Sequence, residues 1–386
     1  MSPPEAAVVG IAETVPTKRT ELSYLELVAQ VARDALRDAT LLPSDVDGLL
    51  VAPTMVGANL TLPAHTAEYL GLRLGYCDLV DLGGATAVGM VWRAAAAIQA
   101  GACEVVLCVL AEPVGPMGAD RPMNWRGTPR GEFEEPTGQA GTVSAYALAA
   151  DRHATEFGTT PEQRAQVVVA QRRNAAQVGV GMLSAPIEVA DVLASPMICS
   201  PLHLLEIVRP ASGAAAFVVA SPRVAERLGA RHAWLRGFGE CVTHAGISAM
   251  PDLVRTPIEE SARKAFASAR VSPADIAVAE VYDCYSITVI LTLEDAGFVP
   301  KGKGGSFVEA GDFGPGAVLP VNTNGGQLCL GQAGVAGGAT HLVQAVRQLR
   351  GAAGAVQVPE CDLAFVHGNG GRLSEQCSLI LGAQRS

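Results

Sequence analysis

The chain has 386 residues, enough for two ordinary domains or one large two-lobed one; 49% of them are hydrophobic and only 5% aromatic. The apolar mass is therefore mostly Ala, Val, Leu and Ile, and 42 glycines let elements pack closely, which is the composition of an alanine-rich α/β enzyme and excludes a disordered or fibrous chain. A net charge of −10 argues against nucleic acid as a partner, because phosphate binding needs a basic face, and no apolar run reaches the roughly 18 residues of a membrane span.

The first residues, MSPPEAAVVGIAET, lack a charged stretch followed by an apolar one and read as a strand, Ala6–Ile11, ending in a polar turn. The nine cysteines are odd in number and contain no C-x-x-C pair, which predicts neither a metal site nor a disulfide framework and fits a reducing cytoplasm. From Ala35, ALRDATLLPSDVDGLLV reads as the end of an amphipathic helix, a proline turn at Pro43, an acidic turn and a strand at Gly48–Val51. A GGAT tetrapeptide at Gly83 then opens an Ala/Val-rich helix, and Glu104–Leu110 reads as the next strand.

Residues of about 113–200 read as an insertion. It begins with a Pro/Gly/Arg-rich loop and continues in helices, one of them started by Thr160 with Pro161 at its first position. Beyond it the grammar of the first part recurs. AFASARVSPADIAVAEV begins at Ala265, and Ala35, Ala39, Pro43, Asp45 and Val46 are matched 230 residues later by Ala265, Ala269, Pro273, Asp275 and Ile276. A strand at Val278–Val281, a second GGAT helix opening at Gly337 and a strand at Leu363–His367 complete the match. Self-similarity at so long a period is a duplicated domain, with an N-terminal half at 1–225 and a C-terminal half at 226–386. The two GGAT segments are then equivalent helix N-termini facing a pseudo-two-fold axis, where N–H groups and the helix dipole favour negative charge; on spacing alone, tight helix–strand packing suffices to explain their glycines.

Four stretches, taken in this order and with the duplication, resemble the thiolase superfamily over nearly the whole chain: RPASGAAAFVVAS from Arg209, VYDCYSITVILTLEDAGF from Val281, VNTNGGQLCLGQAGVAGGATH from Val321 and FVHGNGG from Phe365. The resemblance is greatest to the sterol-carrier-protein-X and lipid-transfer-type branch, near the thiolase-fold aldolases of steroid side-chain breakdown. It implies an α/β fold, the duplicated five-layered αβαβα thiolase fold, with an inserted loop region in the first half.

Carried over by position, the resemblance places Gly84 where thiolases hold a nucleophilic cysteine; Cys77, the nearest cysteine, reads as core. The Gly-His-Pro motif matches Gly331-Gln332-Ala333, so the histidine is replaced by Gln332, which can donate a hydrogen bond but cannot take up a proton. His367 falls near the second catalytic cysteine, and Tyr282-Asp283-Cys284-Tyr285 matches the Asn-Glu-Ala-Phe or His-Asp-Cys-Phe stretch. In the aldolase group the position of Gln332 is a tyrosine; this chain keeps only the first of two tyrosines, Tyr282.

What the resemblance implies is therefore C–C bond chemistry on an acyl-CoA thioester without a cysteine nucleophile, most naturally retro-aldol cleavage of a β-hydroxyacyl-CoA. Tyr282, His367 and Gln332 are the catalytic candidates, with Gly84, Asn322, Asn324 and Tyr285 lining the oxyanion site or pocket. Tyr285 reads more readily as packing, Asn322 and Asn324 equally well as turn residues, and His65 as packing. Lys301 and Lys303 could meet CoA phosphates, although a solvated loop accounts for them too. The alternatives are an acyltransferase without a cysteine and a non-catalytic subunit that scaffolds a partner. Coenzyme A enters as part of the substrate, with no covalently bound cofactor and no metal. The resemblance also implies a homodimer and, for this branch, a small OB-fold zinc-ribbon protein as a hetero-oligomeric partner.

Overall fold

Strands and helices alternate along the chain in two rounds. The structure is a computed structural model that describes residues 4–56, 60–114, 126–139, 141–229 and 231–385. The first round is β1 (Ala7–Glu13), α1 (Tyr24–Asp38), β2 (Gly48–Val51), α2 (Leu62–Tyr69), β3 (Tyr76–Leu79), α3 (Thr86–Gln99) and β4 (Val105–Glu112). The insertion follows as α4 (Val143–Phe157), α5 (Pro161–Val178), α6 (Val189–Ala194) and the hairpin β5 (Met197–Cys199) and β6 (Leu202–His203), before β7 (Gly213–Ala220) and α7 (Pro222–Leu228). The second round is β8 (Ala233–Val242), α8 (Ile258–Ala269), β9 (Val278–Val281), α9 (Ser286–Asp295), α10 (Gly304–Glu309), α11 (Gly326–Leu330), α12 (Ala339–Arg350), β10 (Leu363–Gly370) and β11 (Glu375–Gly382).

Five layers result, as the resemblance implies. The outer face of the first sheet packs on α1 and α7 through Leu49, Val51, Leu107 and Val109. Both sheets turn their inner faces to a shared central layer, α3 and α12, through residues such as Leu50, Phe217, Val366 and Leu379. The second sheet's far face, with Ala279, Val281, Phe365 and Ile380, packs on α8, α9 and the inserted α4 and α5. The two sheets are not separate. Hydrogen bonding runs in the order β3-β2-β4-β7-β1-β8-β11-β10-β9, because β1 pairs with β7 along most of its length and with β8 only at Ala7↔Trp234 and Val8↔Ala233. Among the described residues no helix is long and apolar enough to cross a membrane.

The duplication is visible at atomic level. A Cβ on Gly10 of β1 would lie 2.3 Å from the Ala35 carbonyl and 2.8 Å from the Ala39 methyl of α1. Gly237 of β8 meets Ala265 and Ala269 of α8 at the same 2.3 and 2.8 Å. In each half a strand thus lies against its outer helix at a distance only glycine permits, on the very alanines that match in sequence. The proline turns also coincide: the Asp45 carboxylate accepts from the Leu42 N–H, and the Asp275 carboxylate from the Ser272 N–H.

The insertion is tied to the second half by buried polar contacts. Glu134 bonds Arg372 at the β10–β11 turn and also accepts from Ser248, and His153 of α4 meets Glu294 of α9 at 3.0 Å. Removing one partner of a buried pair leaves the other charged and unmatched, so Glu134→Ala is expected to lower the unfolding free energy by about 3–5 kcal/mol; urea titration checks it. Lys301, read from the sequence as a solvated or phosphate-binding residue, is neither: its ammonium lies 2.7 Å from Asp295 and 3.2 Å from Glu294. Lys303 is exposed at the start of α10.

Candidate active site

β9 is the last strand of the sheet, and the chain leaves it at Tyr282. The Tyr282 N–H donates to the His367 carbonyl of β10 (3.1 Å), which holds the residue in register while its ring turns toward the central layer. There the phenol meets both GGAT segments. A Cβ on Gly84 would lie 2.3 Å from the Tyr282 hydroxyl, 2.4 Å from its Cζ and 2.5 Å from the Asn369 carbonyl. One on Gly338 would lie 2.2 Å from the Gly84 carbonyl and 3.1 Å from the Tyr282 ring. The two helix starts touch, and the Tyr282 phenol fills the space a side chain at position 84 would need.

Gln332 completes the pair. It follows α11 and is partly exposed, and its Nε2 donates to the Tyr282 hydroxyl at 2.9 Å. Because the phenol oxygen accepts there, its own hydrogen is free to donate. Burial pushes the Tyr282 phenol well above its ordinary value, with Cys284 and Asp283 adding to the rise. At neutral pH Tyr282 is therefore a neutral donor.

Asp283, to which the sequence reading gave no role, fixes this pair. Its fully buried carboxylate accepts the Gln327 and Leu328 N–H groups at the start of α11 (2.9 and 3.1 Å). The Gln171 amide of α5 also donates to it, and His341 Nε2 of α12 lies 3.0 Å away. Since α11 leads directly into Gln332, the residue after Tyr282 aims the group that bonds Tyr282. Asp283 lay inside the matched motif and His341 directly behind the second GGAT, so both were in plain view, but neither spacing shows that they meet. Tyr146, contributed by the insertion, had no signal at all. Its hydroxyl accepts from Asn369 Nδ2 (2.8 Å), and its ring stacks on Tyr285 at 4.2 Å.

Tyr285 belongs to this aromatic wall, its hydroxyl 3.2 Å from Thr142 Oγ1. Asn322 brackets the edge strand: its side chain accepts from the Val281 N–H (2.7 Å) and donates to the Val281 carbonyl (2.9 Å). Asn324 accepts from the Gly326 N–H and donates to Thr340 of the second GGAT. Both asparagines thus hold the loop beneath Tyr282. Cys77 is not core; it lies exposed on β3, the opposite edge of the sheet. Cys284, beside Tyr282, is buried, and burial pushes its thiol up to about 12, so no thiolate forms there.

His367 is not gathered with Tyr282. Successive strand residues face opposite ways, and Gly368 faces Ala85 of the central layer, while the His367 ring stacks on Phe365 in the outer layer. The ring is fully buried, and burial lowers its pKa to about 3 against an opposing pull from the Gln376 side chain. Below about pH 6.5 the unfolded chain protonates this histidine and the native chain does not, so stability present above that pH is lost as pH falls toward 3. Thermal melts from pH 7.5 to 4 are expected to show a shallower decline for His367→Gln than for the wild type.

The family described as "Thiolase C-terminal domain-like" matches residues 239–383. The "Steroid side-chain-cleaving aldolase" of Thermomonospora curvata is 31% identical over 99% of this chain and 99% of its own. The "17-hydroxy-3-oxo-4-pregnene-20-carboxyl-CoA lyase" of Mycobacterium tuberculosis is 30% identical over 90% of this chain and 92% of its own. A solved structure titled "Ltp2-ChsH2(DUF35) aldolase" superposes over all of both chains with a TM-score of 0.89 at 29% identity.

Proposed function

The chain belongs to the thiolase superfamily, and from that premise we propose that it is an acyl-CoA C–C lyase that cleaves a β-hydroxyacyl-CoA to a carbonyl compound and a shorter acyl-CoA. The observation that carries this reading is the Tyr282 hydroxyl lodged against Gly84, where a thiolase nucleophile would stand. A phenol there forms no acyl-enzyme, and retro-aldol cleavage needs none.

In this reading the substrate's thioester oxygen and α-carbon lie against Tyr282, with partly exposed Gln332 at the entrance. As the Cα–Cβ bond breaks, its electron pair goes to the thioester enolate and the β-hydroxyl becomes a carbonyl. Tyr282 gives its hydrogen to the enolate as the β-hydroxyl hydrogen replaces it on the phenol oxygen, so the enzyme begins and ends with a neutral phenol. The high phenol pKa supports such a relay over a standing phenolate. A single tyrosine then suffices, with Gln332 holding it in place of a second one. Coenzyme A arrives as part of the substrate.

The names of the relatives support a steroid side chain as the acyl group. The solved relative's title names two components, which supports a second protein of the OB-fold zinc-ribbon kind as partner. The open edge of β3, with Leu79 exposed, supports a homodimer formed along that strand. The cytoplasm is the expected compartment. Cleavage in D₂O tests the chemistry: the shorter acyl-CoA should carry one deuterium at the carbon that lost its bond, and a product without it would contradict an enolate.

A further inference from the structure

Buried arginines in this fold are matched by carboxylates: Arg164 bonds Glu206 at 3.1 Å, and Arg372 bonds Glu134. Arg172 of α5 breaks the pattern. It is 4% exposed, yet no carboxylate lies within ion-pair distance among the described residues. Among the described residues its one hydrogen bond runs from Nη1 to the Ala185 carbonyl (3.2 Å), and its buried Nε has no partner. A guanidinium withdrawn from water without a counter-charge is strongly disfavoured, and a second cation aggravates it. Burial and then Arg209 hold the Arg172 pKa below its ordinary value.

Arg209 is exposed and likewise has no side-chain partner among the described residues. Its position is informative: its carbonyl accepts the Gln332 N–H at 2.8 Å, so it borders the residue that bonds Tyr282. Residues 181–185 close the other side, with the Leu183 N–H on the Cys329 carbonyl (3.0 Å) and the Met182 sulfur facing Gly331. Two arginines without a carboxylate partner among the described residues are therefore tied to the segment that carries Gln332, Arg209 through its carbonyl and Arg172 through residues 181–185, in a protein whose net charge is −10.

We propose that Arg172 and Arg209 form a subsite for an oxyanion of the substrate, either a phosphate of coenzyme A or a carboxylate on the acyl group. The inference rests on the acyl-CoA reading of the site. The guanidinium fork suits both anions, and an oxyanion bound between the two arginines supplies the counter-charge that the protein does not. A role for Arg172 confined to pinning residues 181–185 through Ala185 would leave Arg209 unexplained.

Equilibrium binding tests this without turnover, so it stands or falls separately from the lyase assignment. Coenzyme A, inorganic pyrophosphate and succinate are titrated calorimetrically into the wild type, R172Q, R209Q and, as a control for general loss of charge, R173Q. Arg209 is exposed, so R209Q keeps the test open if R172Q fails to fold. At least one probe is expected to bind at 1:1, with its Kd raised tenfold or more in R209Q and unchanged in R173Q. Weakening of coenzyme A and pyrophosphate assigns the subsite to phosphate; weakening of succinate alone assigns it to an acyl carboxylate. The proposal is overturned if no probe binds the wild type, if R209Q binds every probe as the wild type does, or if R173Q weakens binding equally.

Discussion

Tyr282→Phe is expected to lower kcat for β-hydroxyacyl-CoA cleavage by roughly 100- to 10,000-fold, the usual range for removing a positioned proton-transfer group. KM should change little, because the lost atom acts in the transition state rather than in binding. The fold should survive: the substitution removes a single hydroxyl whose partner, the Gln332 amide, is partly exposed and can turn to water. Steady-state kinetics beside a thermal melt separate the outcomes. A variant with wild-type Tm and wild-type kcat would remove Tyr282 from the chemistry; only a wild type that turns over nothing would leave the scaffold reading in place.

The second large effect is expected at Gly84. An alanine there would bring its methyl to 2.3 Å from the Tyr282 hydroxyl and 2.5 Å from the Asn369 carbonyl, far inside contact distance. The phenol or the backbone has to move. Overpacking of this kind costs about 1–3 kcal/mol, and the displaced phenol should lose its bond to Gln332, so kcat falls as well. Gly84→Cys is expected to behave likewise and not to restore acyl transfer, because Gln332 cannot take a proton from the new thiol. The origin of the cost can be checked by a cycle. In a Tyr282→Ala background the Gly84→Ala penalty should shrink, since two of the three obstructing atoms are gone; an unchanged penalty would put the clash on the backbone alone.

Why the duplication could be read from the sequence is plain in the structure. The alanines that repeat are those on which Gly10 and Gly237 rest, and the strands Gly48–Val51 and Val278–Val281 end where the apolar runs end. What could not be read was contact between distant segments. The two residue pairs that join β1 to β8 have no periodic signature, so two sheets were expected where hydrogen bonding is continuous. Cys77 sits in a strand-like run, but β3 is an edge strand and leaves it exposed. Lys301 has a loop-like neighbourhood in sequence and is paired because α9 brings Glu294 and Asp295 to it. His367 is different, since its side could have been worked out: in the run Leu363–Gly370 it shares parity with Phe365, and alternation alone turns it away from Tyr282. The Tyr282–Gln332 bond and its support by Asp283 are legible only in three dimensions, although each of these residues stood within a matched motif.

The proposed carbon–carbon cleavage forms no covalent acyl-enzyme. Mass spectrometry of both products and intact protein, over a panel of β-hydroxyacyl-CoA and β-ketoacyl-CoA thioesters, tests it most directly, with and without an OB-fold zinc-ribbon partner. A β-hydroxyacyl-CoA is expected to yield a carbonyl compound and a shorter acyl-CoA while the protein mass stays unchanged. Acyl transfer to coenzyme A from a β-ketoacyl-CoA, with an acyl adduct on the protein, would contradict it.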